Sequence, residues 1–271
     1  MRQDTWSSAT ARVRPPAVAG TFYPDDPDTL REQVLRFLEA ARTDEPAPKA
    51  LIVPHAGYIY SGPVAAAGYA TLRNRTHPIR RVVLLGPDHR VGFRGIAVPT
   101  VDYFATPLGR VPLDTDTIAT LERLPQVVAY DLAHAGEHSL EVHLPFLQLT
   151  LGDEFELVPL VVSAATPEEV AEVLEAVWDG PETLIVVSSD LSHYHDYQTA
   201  RRLDAATAEA IESLQPERLA SENACGFLPM RGLLEMARRK GLRVKRLDLR
   251  NSGDTAGPKD QVVGYGAWAI R

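Results

Sequence analysis

Apolar residues follow two patterns along this chain. Over residues 28–42, Leu30, Val34, Leu35, Phe37, Leu38 and Ala41 recur at intervals of three and four behind Pro27, which predicts an amphipathic helix. Elsewhere the apolar residues form short unbroken runs at 50–53, 82–85, 157–162 and 184–187. Runs too short for helices, two of them stopped by Pro54 and Gly86-Pro87, read as strands buried on both faces, as in a parallel sheet. Helices are expected between them at 62–72, 114–124, 137–151, 166–178, 197–214 and 229–240. The clearest start is Thr166-Pro167-Glu168-Glu169: Thr166 caps, Pro167 suits the first helical position and Glu169 completes a capping box. Residues 244–249 and 264–270 supply the last strands, separated by a Gly/Asp/Pro-rich loop at 251–260. Strands alternating with helices predict an α/β fold, a layered α/β/α single domain over 1–271 with a largely parallel central sheet. The polar start, 1–16, ends in Pro15-Pro16 and is expected to be loosely draped, with 1–13 mobile.

Composition narrows the classes of function. Of 271 residues 45% are apolar and 24% charged, an ordinary globular profile able to bury one large core. The 28 Lys and Arg against 36 Asp and Glu give a net charge of −8, which argues against nucleic acid as a partner. The longest nearly apolar stretch, 157–165, falls far short of the roughly 20 residues a membrane span needs. A single cysteine, Cys225, excludes an internal disulfide and a thiolate-only cluster, and it suits a reducing compartment. The first residues lack the apolar region of a signal peptide, so the expected location is cytoplasmic.

Open α/β sheets bind ligands beyond the carboxyl ends of their strands. Three runs end there in metal-competent residues: His55 after the first, Asp88 and His89 after the second, and Asp190, His193 and His195 after the fourth. Each alone could simply cap a helix or satisfy its own loop; three on one sheet point to a shared site. In the segment EHSLEVH, His138 and Glu141 are three apart and could face one side of a helix, either bracing the site or taking part in it. The segment matches neither HExxH nor HxxEH, so a separate zinc-protease site is not expected. Ser188 and Ser189 lack a nucleophile elbow, and no phosphate-binding glycine motif occurs. Cys225, ahead of a helical stretch, reads as either a buried small hydrophobe or a ligand. His77 and His134 have no constellation around them.

The stretches VRPPAVAGTFYP, VPHAGYIYSG, LLGPDH, GEHSLEVHLPF, VVSSDLSHY, NACGFLP and GYGAWAI together resemble the Memo family, the B component of the AmmeMemoRadiSam set, from about Arg14 to Ile270. The resemblance implies a fold similar to LigB-type class III extradiol dioxygenases. It also implies a two-His, one-Cys metal site at His55, His89 and Cys225, holding iron(II) or copper, with zinc as a further candidate. Asp190 and His193 would lie beside it as an acid/base pair, with His138, Glu141 and His143 supporting the ligands. Radical-SAM and AMMECR-type proteins are the implied associates, and a small molecule or peptide the implied ligand. A metal-dependent oxidoreductase is the leading expectation; a partner-binding scaffold and a small-molecule dioxygenase or hydrolase are the alternatives. A thiolate in place of the dioxygenase carboxylate removes the usual facial triad, so ring cleavage does not follow from a shared fold.

Overall fold

The computed structural model describes residues 11–271. In chain order the strands are β1 (Val13–Arg14), β2 (Ala50–Val53), β3 (Arg81–Pro87), β4 (Ile96–Val98), β5 (Tyr103–Thr106), β6 (Gly109–Pro112), β7 (Val127–Ala129), β8 (Glu156–Val162), β9 (Thr183–Ser188), β10 (His193–His195), β11 (Val244–Asn251) and β12 (Val262–Ile270). The helices are α1 (Pro27–Ala40), α2 (Tyr58–Tyr69), α3 (Thr115–Leu121), α4 (Asp131–Ala135), α5 (Leu144–Leu151), α6 (Pro167–Ala176), α7 (Tyr197–Glu212), α8 (Phe227–Arg239) and α9 (Ser252–Thr255). The four apolar runs become the centre of one large sheet, in the order β2-β9-β3-β8, all parallel and almost wholly buried. Their continuous Val, Leu and Ile content follows from that position, since helices cover both faces. Helices α1, α2 and α5 pack together, with α2 against β2, β11 and β12, while α6 packs on α8, which lies against β3 and β9. The expected layered α/β fold is the one observed. Its flanks are antiparallel: β12 runs against β2 and β11, and β4 runs against β8. None of the described helices is long and apolar enough to cross a membrane.

Several elements depart from the sequence reading for definable reasons. β3 continues through Gly86-Pro87 because pairing with β9 ends at Leu85, so the missing Pro87 N–H is not needed on that side. Strands β4, β7 and β10 are three residues each, too short to show a period, and β10 is exposed and polar. The expected helix over 137–151 begins only at Leu144, where Pro145 occupies its first turn; a single 3₁₀ turn, Glu141–His143, precedes it. Ahead of that turn, the Glu137 carboxylate accepts from the backbone N–H groups of His138 and Ser139 at 2.9 Å, competing with helical hydrogen bonding.

The start of the chain is tied down more firmly than expected. The mobility expected for 1–10 lies outside the described residues, but Val13–Arg14 pairs with Tyr103 and Phe104 in a small sheet, β1-β5-β6. Arg14 is buried, and its guanidinium donates to Glu141 Oε2 at 2.6 Å and to the carbonyls of His134 and Glu137 at 2.8 and 2.7 Å. Glu141 is fully buried and also accepts from the N–H groups of Ala17 and Val18 and from the Tyr23 hydroxyl. Glu141 therefore fastens the incoming chain to the loop under the strand ends instead of sharing a helix face with His138. Removing one partner of such a pair strands a buried charge. Glu141→Gln is expected to destabilise the fold by about 3–5 kcal/mol, read as a lowered urea midpoint at unchanged slope; a loss below about 1 kcal/mol, the scale of an exposed pair, would show that the pair does not carry the loop.

Candidate metal centre

The carboxyl ends of β2, β3 and β9 open on one crevice of about 600 Å³, lined by His55, His89, His138, Asp190 and His193 among others. A cavity of about 670 Å³ between α1, α2 and β11 is larger, but no histidine lines it. In the crevice the rings of His55 and His89 lie 5.1 Å apart, His55 and His138 5.3 Å, and His89 and His138 4.7 Å. One nitrogen from each of the three lies within 4.8 Å of the others. His193 and the exposed Tyr194 stand at the rim, Tyr194 at φ 60°, a left-handed backbone conformation uncommon for a non-glycine residue. Among the described residues, no Lys or Arg lines the crevice.

His55 and His89 are each oriented from behind. His55 Nδ1 meets Ser188 Oγ at 2.6 Å, which turns Nε2 to the crevice. His89 Nδ1 donates to Glu137 Oε1 at 2.9 Å, and the His89 backbone N–H donates to Oε2 at 2.8 Å. The carboxylate that holds a candidate ligand is thus Glu137, not the Glu141 suggested by spacing. His138 leans on Phe22, with centroids 4.6 Å apart. Its Nδ1 is 3.3 Å from Glu137 Oε1 but is misaligned, leaving that buried nitrogen without a hydrogen bond. His143 lies beneath the crevice, bonded to Ser188 Oγ and the Tyr69 hydroxyl. His134, the isolated histidine, is buried and donates Nε2–H to Ala97 O at 3.0 Å, a structural role.

Cys225 reaches the same place from far along the chain. Its Sγ is 3.3 Å from His55 Nε2 and 3.6 Å from the Asp190 carbonyl, while its N–H donates to that carbonyl. The turn fits because Gly226 has no side chain: a Cβ there would stand 2.4 Å from Ser188 O and 2.6 Å from Ser189 Cβ. Asp190 Oδ1 accepts from the N–H groups of His55 and Ala56, and Oδ2 lies 3.9 Å from His55 Nε2. Asp190 thus bonds to the His55 loop, and His193 lines the same crevice without a hydrogen bond to Asp190. The three imidazoles and the thiol form a donor set suited to iron, copper or zinc. Nitrogens bound tetrahedrally at about 2.1 Å would lie about 3.4 Å apart, so small ring rotations would bring the three together.

The sequence profile of the Memo-like protein family matches residues 14–269. The chain belongs to the Memo family. Every candidate residue from His55 to Cys225 lies in the matched span. Similar proteins described as MEMO1 family members occur in Ignicoccus hospitalis, at 38% identity over 94% of this chain and 97% of that one, and in Aquifex aeolicus, at 39% with the same coverage. Among solved structures, an uncharacterized protein of Escherichia coli K12 shares the fold, with a TM-score of 0.53 and 13% identity over 81% of this chain and 98% of that one.

Burial dominates the electrostatics of this Memo-family crevice. It drives the His55 pKa far below the ordinary range, and the neighbouring histidines add to the effect. His138 is lowered by burial to about 4 and His143, also by burial, to about 3, so both, like His55, are neutral at pH 7 and keep a lone pair. Burial raises Asp190 to about 7, and burial plus the Asp190 carboxylate raises the Cys225 thiol to about 12. Without a cation, therefore, Cys225 is a thiol. Burial opposes ionisation of Glu137, yet the bond and charge of His89 and the amides of Ser139 and His89 outweigh it, holding that carboxyl at about 2. Its folded-state pKa is depressed, so its contribution is fully present above the ordinary value of 4.5 and lost as pH falls towards 2. Glu137→Gln is expected to cost about 3 kcal/mol at pH 7, with the gap to wild type narrowing between pH 5 and 2; denaturant titrations across that range with a constant gap would refute the assignment.

Proposed function

We propose that this Memo-family protein is a metal-dependent redox protein in which His55, His89 and Cys225 hold iron(II) or copper, with His138 as an adjoining donor. The observation that carries the reading is the convergence of three imidazoles on one point beside the chain's single thiol. When bound, such a metal supplies electron transfer and, with three protein ligands, an open coordination position. The thiol fits because a nearby cation favours the thiolate, reversing the effect of burial. Asp190, poised near neutrality, is the acid/base closest to His55; His193 at the rim can exchange protons with solvent. The partly aromatic wall, with no Lys or Arg among the described residues, suits a small molecule or an exposed peptide side chain. Radical-SAM and AMMECR-type proteins are the proposed associates, acting before or after it on a common product.

Protein purified without added metal should carry stoichiometric iron or copper by elemental analysis and consume oxygen in the presence of a reductant. His55→Ala should abolish metal retention. Cys225→Ser should weaken anaerobic binding by more than the 10–100-fold typical for loss of a supporting contact, whereas His138→Ala should cost less. If Cys225→Ser binds like wild type and His138→Ala does not, the third ligand is His138. A folded, metal-free protein that still captures an AMMECR-type or radical-SAM partner would support the scaffold reading instead.

A further inference from the structure

Beneath the crevice, four side chains form a closed hydrogen-bonded chain whose proton positions follow from valence. Ser188 Oγ lies 2.6 Å from Ser139 O, 2.6 Å from His55 Nδ1 and 2.8 Å from His143 Nε2. A carbonyl cannot donate, so the single hydroxyl hydrogen of Ser188 goes to Ser139 O. The other two contacts must then be received by the oxygen's lone pairs, which places a proton on His55 Nδ1 and another on His143 Nε2. Neutral His143 consequently carries a lone pair on Nδ1, and that atom accepts from the Tyr69 hydroxyl at 2.9 Å. With both imidazoles neutral, no other arrangement of these protons satisfies every contact. Tyr69, His143, Ser139 and Ser188 are at most 1% exposed, so water offers no substitute partner.

We infer that Ser188, His143 and Tyr69 are positioning residues that lock His55 in the Nδ1–H tautomer and thereby keep its Nε2 lone pair turned towards the crevice. The pattern differs from that of His89, whose Nδ1–H is held by a carboxylate. A carboxylate makes the imidazole a stronger donor, whereas a neutral hydroxyl fixes the ring without adding charge. Holding His55 through Ser188 therefore places one polarised and one unpolarised imidazole in the same donor set. Nothing in the lock requires a metal to be present, but its value to the protein rests on the metal-centre reading above.

The tautomers can be read directly in full-length protein labelled with ¹⁵N at histidine, by long-range proton–nitrogen correlation before and after adding zinc(II). In metal-stripped wild type, His55 should show a protonated Nδ1 and a bare Nε2, and His143 the opposite arrangement. Ser188→Ala should let the Nε2–H form of His55 appear and should weaken cobalt(II) binding by roughly 10–100-fold, and Ser188→Thr, which keeps the hydroxyl, should restore both. Finding His55 and His143 in the same tautomer in wild type would overturn the inference even if Ser188→Ala does not fold. So would a His55 tautomer unmoved in a folded Ser188→Ala. Wild type that binds neither zinc(II) nor cobalt(II) would instead overturn the metal-centre reading, while opposite tautomers in that protein would still support the lock.

Discussion

The crevice depends on one constraint: the loop carrying His138 must lie beneath the strand ends while burying the Arg14–Glu141 pair and the Glu137 carboxylate. A loop at that depth has backbone groups that cannot reach water, and each unpaired group would cost about 1–3 kcal/mol. Arg14 and Glu141 solve the problem on one side, taking up the carbonyls of His134 and Glu137 and the N–H groups of Ala17 and Val18. Glu137 solves it on the other, accepting from the N–H groups of His89, His138 and Ser139. The loop is therefore a polar core in miniature, sealed between the small β1-β5-β6 sheet and the main one. His89 and His138 owe their placement to it as much as to the strands.

Much of the scaffold was legible because burial leaves a direct trace in composition. The central parallel strands had to be continuously apolar, and they were; the α6 capping box reads the same in sequence and in structure. Residues immediately after those strands, His55, His89 and Asp190, were legible as site candidates because topology alone brings strand ends together. Polar partnerships were not. Glu137 and His89 are 48 positions apart, and no periodicity links a carboxylate to a distant imidazole. Glu141 illustrates the converse error: spacing of three suggests a shared helix face with His138, but the helix does not form there and the two side chains part.

Cys225 belongs to a third category. Its proximity to His55 spans 170 positions and depends on Gly226 accepting a backbone approach that any side chain would block. Composition identified the residue as the chain's only thiol, and family resemblance suggested its role, but the contact is a product of packing between the β9 end and the start of α8.

The lining of the crevice has a consequence for how ligands arrive. Among the described residues no lysine or arginine lies in its wall, so the wall itself projects no fixed positive field into solvent, and the Asp190 carboxyl is buried. Long-range steering, which speeds the capture of charged ligands and fades with salt, therefore comes from the rest of the molecule and not from the wall. Whatever charged ligand approaches meets the field of a molecule with a net charge of −8, which favours cations over anions and fades as salt rises.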